Sequence, residues 1–398
     1  MPAVEVRPGI YWAGVNDRTS DLFEGFWPVA REGVSHNSYL IDDEKKALID
    51  ITSESLLESL LSQIATVTDP AGLDYIVINH MEPDHTGALR ALRRLAPRAT
   101  LLGSKKAVEM MESYYGVTEG VRAVEDGETL SLGRNTLQFF STPFVHWPET
   151  IMTYAQEQKV LFSCDGFGGY GALQGSIFAD EYADLRFYEE EALRYYTNIV
   201  ALFGKQVLKA IDRLKDLPVE VVAPSHGLVW RRNPGRIIEL YRTWAGYATG
   251  PVEPGVTVVF GTMYGNTRAM AEAVAAGVAG AGLPVTLFDA ARVHPSYILP
   301  AIYSRQGVVI GSATYEGGLF PPVRNLLSLV ESKRIVGRTA AFFGSRGWGG
   351  GARREFARQA ETLQWEVVDA WEMQGGPTTK DLQEGEEFGH RFAAGLRR

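Results

Sequence analysis

The segment NHMEPDHTG, residues 79–87, constrains this chain more than any other stretch. It places four side chains of types that commonly bind metals within six positions: His80, Glu82, Asp84 and His85. The run before it, DYIVIN at residues 74–79, is short and apolar, which predicts a buried strand that ends at His80. The four side chains are therefore expected in a loop at the carboxyl end of a strand.

The spacing within this segment suggests that it serves two ions. In an extended backbone, residues 80, 82 and 84 would face one way, whereas the neighbours Asp84 and His85 would diverge. From Thr86 the pattern GALRALRRL predicts a helix with Thr86 as its N-cap. The alternative is a polar strand-to-helix turn without a metal, and the density of ligand-type side chains favours the metal site.

Further candidate ligands follow other apolar runs of β-like composition. They are His146 in STPFVHWPET, Asp165 in VLFSCDGFGG and His226 in VVAPSHG. Each lies beside glycine or proline, as expected for a loop residue at a sheet edge. A single histidine in such a loop is more often a structural hydrogen-bonding residue, but three repeats of one context indicate a ligand set.

The order H-x-E-x-D-H, followed by His, Asp and His, resembles the metallo-β-lactamase-like domain of the flavodiiron proteins, also called A-type flavoproteins. In zinc hydrolases of that fold the first motif usually reads H-x-H-x-D-H, and here Glu82 replaces the second histidine. Carboxylate and imidazole ligands with open positions suit iron or manganese that changes oxidation state. The resemblance implies two non-haem iron ions, one held by His80, Glu82 and His146 and the other by Asp84, His85 and His226, with Asp165 bridging them.

Length and cysteine content restrict the protein class. The chain has 398 residues, of which 45% are hydrophobic, so two or three domains with real cores are expected. The single cysteine, Cys164, excludes an internal disulfide and a fused rubredoxin module, and we expect a buried, inert thiol there. No apolar run approaches the roughly 20 residues that span a bilayer, and no signal peptide is recognisable. A cytoplasmic protein without a membrane segment is therefore expected.

A domain boundary is predicted at the Pro/Gly-rich stretch GYATGPVEPG, residues 246–255. It separates a diiron domain at 1–250 from an FMN domain at 255–398. Residues 251–398 carry 15 Lys and Arg against 14 Asp and Glu, whereas residues 1–250 carry 24 against 34. The acidity of the first domain argues against nucleic acid as a partner. Within it, the spacing of residues 189–214 predicts one helix that covers the sheet.

The second region begins with the signature of a phosphate-binding turn. Residues 256–260 (VTVVF) predict a strand, residues 261–267 (GTMYGNT) a loop, and residues 268–279 a helix whose N-terminal end favours an anion. Asn266 stands where a nucleoside triphosphate loop would carry lysine, so a monophosphate fits better than ATP. Two further glycine-rich loops, in residues 308–322 and 340–352, complete a pattern that matches the flavodoxin-like fold, which binds FMN.

The predicted FMN contacts lie in these three loops, with Tyr315 and Trp348 as candidates to flank the flavin ring. An aromatic side chain in such a loop can equally be structural. The candidates are Thr262, Met263, Tyr264, Gly265, Asn266, Thr267, Ala313, Thr314, Tyr315, Gly317, Gly318, Ser345, Gly347, Trp348, Gly349 and Gly350. The expected fold class is α/β, with an N-terminal metallo-β-lactamase-like αββα sandwich and a C-terminal flavodoxin-like doubly wound parallel sheet.

The resemblance implies an oxidoreductase that reduces dioxygen to water, or nitric oxide to nitrous oxide, at the diiron site with electrons delivered through FMN. It also implies a rubredoxin-like or deazaflavin electron donor, and a head-to-tail homodimer or a dimer of dimers. One departure stands out: many relatives carry a histidine in the loop before residues 37–40, where this chain has Glu24 and His36.

Two other functions remain open at this point. The first is a dizinc metallo-hydrolase with a regulatory flavodoxin-like domain, against which Glu82 counts. The second is an electron-carrying or gas-sensing flavoprotein whose irons bind a diatomic gas without turning it over. Metal analysis separates the first from the diiron enzyme, and a single anaerobic turnover separates the second.

Overall fold

A computed structural model of the chain describes residues 2–250 and 252–397. The chain divides into two compact units between Ala245 and Gly246. Each unit is described by itself below. In the described residues, no helix has the length and apolar character needed to cross a membrane.

The first unit is built on strands that are mostly short. In chain order they are β1 (Val4–Arg7), β2 (Ile10–Trp12), β3 (Val15–Asp17), β4 (Leu22–Phe23), β5 (Trp27–Pro28), β6 (Val34–His36), β7 (Tyr39–Ile41), β8 (Ala47–Ile49), β9 (Tyr75–Val77), β10 (Thr100–Gly103), β11 (Val121–Ala123), β12 (Thr129–Ser131), β13 (Thr136–Ser141), β14 (Ile151–Ala155), β15 (Val160–Cys164) and β16 (Val221–Pro224).

Helices connect and cover these strands. They are α1 (Leu57–Ile64), α2 (Pro83–Thr86), α3 (Leu89–Leu95), α4 (Lys105–Tyr115), α5 (Arg186–Tyr195), α6 (Gly204–Leu214) and α7 (Pro234–Gly246). A π-helical turn at Tyr196–Val200 and a 3-10 turn at Ala201–Phe203 separate α5 from α6. The single helix predicted for residues 189–214 is therefore wrong in detail, because two irregular turns interrupt it.

The strands form two principal sheets that pack face to face. One has the order β1-β2-β7-β8-β9-β10-β11, and the other has the order β12-β13-β14-β15-β16. Between the sheets, the rings of Tyr39 on β7 and Phe162 on β15 lie 5.2 Å apart. On the outer face of the first sheet, α1, α3 and α4 bury Leu60, Leu92 and Met111 in a continuous apolar core. This arrangement confirms the predicted αββα sandwich.

The turn after β9 differs from the prediction. The strand covers Tyr75–Val77, shorter than residues 74–79, and the backbone becomes helical at Pro83, which takes the first helical position of α2. Thr86 is not an N-cap, because its hydroxyl donates hydrogen bonds to the carbonyl oxygens of Met81 and Glu82. Proline therefore starts the helix earlier than the apolar spacing indicated.

The second unit contains strands β17 (Glu253–Gly261), β18 (Val285–Asp289), β19 (Arg305–Tyr315), β20 (Gly318–Leu319), β21 (Thr339–Arg346) and β22 (Glu366–Gln374). Its helices are α8 (Asn266–Gly280), α9 (Pro295–Ser304), α10 (Pro321–Ser332), α11 (Ala352–Thr362) and α12 (Thr379–Leu396). The parallel order β18-β17-β19-β21-β22 is the 2-1-3-4-5 order of flavodoxin-like folds, and it confirms the predicted doubly wound sheet.

The core of the second unit positions its strand-end loops. Val258, Val309 and Phe343 on neighbouring strands pack against α8 and α12 on one face of the sheet. The predicted strand at 256–260 and helix at 268–279 are both longer in the structure, so the loop between β17 and α8 contracts to residues 262–265. The loops after β17, β19 and β21 meet at one edge of the sheet because these strands are parallel neighbours.

Candidate metal centre and strand-end cavity

Seven predicted ligands of the first unit converge at the ends of several strands. His80, Glu82, Asp84 and His85 follow β9, His146 lies in the loop between β13 and β14, Asp165 follows β15, and His226 follows β16. Side chains from both principal sheets thereby meet at one place. The group is buried, with His80 and His226 both 0% exposed and Asp165 1% exposed.

One cluster, which we call the first metal position, comprises His80, Glu82 and His146. Glu82 Oε2 lies 3.3 Å from His80 Nε2 and 3.1 Å from His146 Nε2. Two donors bound to one ion at about 2.1 Å are separated by about 3.0 Å at a right angle and about 3.4 Å at a tetrahedral angle. The three donor atoms therefore have the separations of ligands that share one ion.

A second cluster, the second metal position, comprises Asp84, His85 and His226. Asp84 Oδ2 lies 3.5 Å from His85 Nε2 and 3.2 Å from His226 Nε2. Asp84 therefore faces His226. This differs from the prediction for an extended backbone, in which Asp84 would face the same way as residues 80 and 82. The helical turn α2 is the reason, since it rotates Asp84 out of strand alternation.

Asp165 lies between the two metal positions and turns one carboxylate oxygen towards each. Its Oδ2 is 3.4 Å from His80 Nε2 and 3.2 Å from His146 Nε2. Its Oδ1 is 3.0 Å from His85 Nε2 and 3.4 Å from His226 Nε2. This geometry is suited to a carboxylate that bridges two cations.

The donor atoms are buried, and many of them have no hydrogen-bond partner among the described residues. These atoms are both carboxylate oxygens of Asp84 and of Asp165, Nε2 of His85 and Nε2 of His226. Buried polar atoms are normally satisfied, so a convergent set of unsatisfied donors and acceptors is suited to binding a cation. The residues of the first unit therefore fit a two-metal centre of nitrogen and oxygen donors.

The electrostatics of the cluster also fit cation binding. Burial opposes protonation of His80, but hydrogen bonds with Glu149 and Glu82 outweigh it and raise the pKa of His80 to about 10. Burial likewise opposes ionisation of Asp165, but the imidazoles of His85 and His146 hold its pKa well below the usual range. The carboxylates thus draw positive charge into the site, and cations would displace protons there.

Contacts behind the ligands fix the histidine rings. Glu149 Oε1 lies 2.7 Å from His80 Nδ1 and accepts a hydrogen bond from the Met81 amide at 2.9 Å. The Ser35 carbonyl oxygen lies 2.7 Å from His226 Nδ1. Outer partners of this kind orient a ligating histidine and set its tautomer. Glu149 was not among the predicted site residues, although it stands three residues after His146.

The segment before β7 brings two more ionisable side chains to the centre. Burial and the neighbouring Glu82 carboxylate raise the pKa of Glu24 to about 7, and the Trp27 indole donates a hydrogen bond to Glu24 Oε2 at 3.0 Å. His36 Nδ1 lies 4.0 Å from Asp84 Oδ2. Burial and nearby histidines lower the pKa of His36 to about 4. The departure noted in the sequence thus falls directly beside both metal positions.

Aromatic side chains enclose the second metal position. The rings of Phe23 and Tyr195 lie 5.4 Å and 5.6 Å from the ring of His226. The Tyr195 hydroxyl is buried without a hydrogen-bond partner among the described residues, and burial raises its pKa well above the usual value.

Cys164 is buried with a raised pKa, mainly through burial, which agrees with an inert thiol.

In the second unit, the loops after β17, β19 and β21 form a cavity of about 540 Å³, which we call the strand-end cavity. Thr314 Oγ1 is a buried atom of this lining that has no hydrogen-bond partner within residues 2–250 and 252–397, so it can contact a bound ligand. The lining consists of Met263, Asn266, Ala313, Thr314, Tyr315, Glu316, Gly317, Ser345, Arg346, Gly347, Trp348, Gly349 and Gly375.

Several predicted FMN contacts lie outside this lining. Thr262, Tyr264 and Gly265 border an adjoining cavity, and Gly350 borders another. Thr267 is buried with its hydroxyl 3.1 Å from the Ser345 hydroxyl, and Gly318 packs beside Glu355. Conversely, the sequence analysis missed Glu316, Arg346 and Gly375, which line the cavity. Glu316 and Arg346 lie inside the glycine-rich loops predicted in residues 308–322 and 340–352.

Comparison with known proteins agrees with the fold of each unit. Residues 34–227 match the family described as "ODP family beta lactamase", and residues 258–389 match the family described as "Flavodoxin". A nitric oxide reductase of Moorella thermoacetica is 33% identical over 400 residues, which cover 98% of each chain. The chain belongs to the flavodiiron family.

Solved structures of flavodiiron proteins have the same fold. The rubredoxin oxygen:oxidoreductase of Desulfovibrio gigas superposes with a TM-score of 0.93 at 29% identity, covering 99% of this chain and 98% of that one. The flavodiiron protein of Giardia intestinalis superposes with a TM-score of 0.94 at 30% identity, covering 100% and 97%. Relatives in this family are thus named for either nitric oxide or oxygen as substrate.

Proposed function

We propose that this flavodiiron protein is an oxidoreductase that reduces dioxygen to water, nitric oxide to nitrous oxide, or both, at two iron ions with electrons delivered through FMN. The observation that carries the proposal is the position of Asp165, whose two oxygens face two separate sets of imidazole and carboxylate donors. When bound, two ferrous ions and a reduced FMN together supply four electrons, which with four protons convert one dioxygen into two waters.

The residues around the centre would bind the irons and control access to them. His80, Glu82 and His146 would hold one iron, Asp84, His85 and His226 the other, and Asp165 would bridge them. Phe23 and Tyr195 keep water away from the second metal position, and the Tyr195 hydroxyl holds a proton beside it. A dry pocket favours complete reduction because partly reduced oxygen does not escape.

In the second unit, the strand-end cavity would hold FMN. The backbone N–H groups at the start of α8 would bind its phosphate, and Thr314 would supply a further polar contact. Tyr315 and Trp348 line the cavity and would flank the flavin ring. A rubredoxin-like carrier or a reduced deazaflavin would supply electrons to this FMN.

The primary test combines metal analysis with a single turnover. Anaerobically reduced protein should contain two irons and one FMN, and its flavin should reoxidise rapidly after one addition of dioxygen or nitric oxide, with nitrous oxide as the product from the latter. The Glu82→Ala variant should lose iron and turnover, whereas a matched change at the exposed Glu109 of α4, Glu109→Ala, should keep both. Zinc without iron, or gas binding without flavin reoxidation, would refute the proposal.

Electron delivery would take place within a head-to-tail dimer, in which the FMN of one subunit serves the irons of the other. A hybrid dimer tests this arrangement. One chain carries Asp165→Asn, and the other carries a change that prevents FMN binding. The two inactive chains should regain about half the wild-type rate when paired, because one intact iron site then meets one intact FMN. A hybrid without turnover would exclude transfer between subunits.

A further inference from the structure

His36 lies next to the second metal position, at the end of β6. It pairs with Val15 of β3, and only 7% of its surface is exposed. Its ring meets the ring of His226 at 5.2 Å with an interplanar angle of 81° and stacks on Phe23 at 6.5 Å. The backbone pairing and these rings hold the imidazole beside His226.

The imidazole of His36 has an unused nitrogen. Its Nδ1 is buried and has no hydrogen-bond partner among the described residues, and Asp84 Oδ2, 4.0 Å away, has none either. A distance of 4.0 Å is too long for a hydrogen bond. Two atoms bound to one ion at about 2.1 Å each can be as much as about 4.2 Å apart when they lie on opposite sides of it. The separation therefore suits two ligands of one cation.

A third donor completes this group. One donor atom each from His36, Asp84 and His226 lies within 4.8 Å of the other two, so the three side chains could hold a metal ion together. Small side-chain shifts would bring all three within bonding distance. Asp165 Oδ1 lies 3.4 Å from His226 Nε2 and 3.0 Å from His85 Nε2, so Asp165 and His85 border the same position.

We propose that His36 is an additional protein ligand of the iron at the second metal position. This inference rests on the proposed diiron function, and it makes the two irons unequal. The first position would have four protein ligands, namely His80, Glu82, His146 and Asp165. The second would have five, namely His36, Asp84, His85, His226 and Asp165. In a six-coordinate ion this leaves more open positions at the first iron, where a diatomic substrate would bind more readily.

The competing role for His36 is purely structural, as a hydrogen-bond donor that orients Asp84. His36→Phe keeps a flat ring of similar size for the contacts with Phe23 and His226 but removes both nitrogens. His36→Gln keeps a hydrogen-bond donor but replaces the imidazole. Val15→Ala is the matched control, because it disturbs the packing of the residue paired with His36 in the neighbouring strand and leaves the His36 nitrogens in place.

The experiment is an anaerobic titration of the full-length, metal-free protein with ferrous iron enriched in the Mössbauer isotope. Wild type should bind two irons with two distinguishable quadrupole doublets. In His36→Phe, the affinity for the second iron should fall at least about 10-fold, which is the smallest loss of metal affinity typical of outer-shell changes. One of the two doublets should also change. His36→Gln should also show an altered doublet, whereas Val15→Ala should retain both wild-type doublets.

Two results would overturn the proposal. His36→Phe could bind two irons with wild-type affinity and unchanged doublets, or His36→Gln could restore both wild-type doublets, which would assign His36 to hydrogen bonding. If His36→Phe does not fold, as judged by thermal unfolding of the metal-free protein, the spectrum of His36→Gln decides alone. A wild-type protein that binds no iron would instead refute the diiron function itself, so the two failures are distinguishable.

Discussion

The metal centre and the strand-end cavity would bind their proposed cofactors, iron and FMN, by different means. The metal centre consists of buried side chains, whereas the cavity is lined by three strand-end loops with exposed aromatic side chains, Trp348 at 90% and Tyr315 at 37% exposure. A metal site built from specific side chains should be abolished by a single substitution. A cradle of backbone N–H groups should tolerate substitution, because every residue except proline supplies the same donor.

The largest effect is expected at Asp165, because it faces both metal positions. In Asp165→Asn the bridging anion becomes a neutral amide, so the charge that offsets two cations is lost. We expect iron affinity and turnover to fall by more than about 100-fold, past the range typical of outer-shell changes. Iron analysis and steady-state rates measure this, with FMN content as the internal comparison.

The control for this substitution is Asp184→Asn, which removes an exposed carboxylate of the same unit that pairs with Arg186. It should leave the iron content at the wild-type value. An Asp165→Asn protein with two irons and a normal rate would show that Asp165 does not bridge the metals.

A smaller effect is expected behind the ligands, at Glu149. In Glu149→Gln the hydrogen-bonding side chain keeps its length, but the negative charge next to His80 disappears. Iron affinity at the first metal position should fall by about 10-fold to 100-fold. The pKa of His80 should also fall from about 10, so fewer protons should be released when iron binds near pH 8.

Proton release on iron loading distinguishes this electrostatic role from a general loosening of the fold. Glu112→Gln, at an exposed position of α4, is the matched control and should change neither the affinity nor the number of protons released. Equal proton release in Glu149→Gln and wild type would contradict the role assigned to Glu149.

Asp43 tests whether the stability of the first unit can be separated from metal binding. Burial opposes ionisation of Asp43, but hydrogen bonds from the Arg134 amide and from the amide and side chain of Asn135 outweigh it and hold the pKa well below its usual range. Asp43→Asn should lower the free energy of unfolding by about 1.5–3 kcal/mol at pH 7. Iron stoichiometry should stay at the wild-type value.

The pH dependence gives the sign of this effect. A carboxylate with a depressed pKa in the folded state stabilises the fold above its unfolded pKa of about 3.9, and this stabilisation is lost as the pH falls. The difference between Asp43→Asn and wild type in urea unfolding should therefore stay nearly constant between pH 7 and about pH 5 and shrink below about pH 4, as the pH falls towards the depressed pKa of the folded state. Asp216→Asn, at an exposed position, is the control. A difference that grows on acidification would contradict the assignment.

The sequence predicted the strand-end loops well because each follows a short apolar run, and this local signal survives folding in β9, β15, β16, β17 and β21. Prediction from the sequence failed where two local patterns compete. Pro83 starts a helix before the position that the apolar spacing indicates. The π-helical turn at Tyr196–Val200 does not change the hydrophobic periodicity of the sequence.

The contacts of Glu24, His36 and Glu149 could not be predicted for a different reason. Each side chain contacts a partner that is far away in the sequence, so the contact is set by tertiary packing rather than by local spacing. For Glu149, the partner His80 is 69 positions away. Spacing within a sequence identifies ligands that share a loop, but it does not identify the side chains that support them.

The smallest effect is expected in the second unit, at Thr267. Its hydroxyl lies 3.1 Å from the Ser345 hydroxyl and links the first turn of α8 to the end of β21, while the backbone N–H groups of that turn do not depend on this side chain. Thr267→Val should therefore raise the Kd for FMN only about 5-fold to 10-fold, which corresponds to the loss of one hydrogen bond. Fluorescence titration of the flavin-free protein measures this, with the exposed Thr286→Val on β18 as the control. Complete loss of FMN would mean that this side chain is as decisive as a metal ligand, and the contrast between the two sites would not hold.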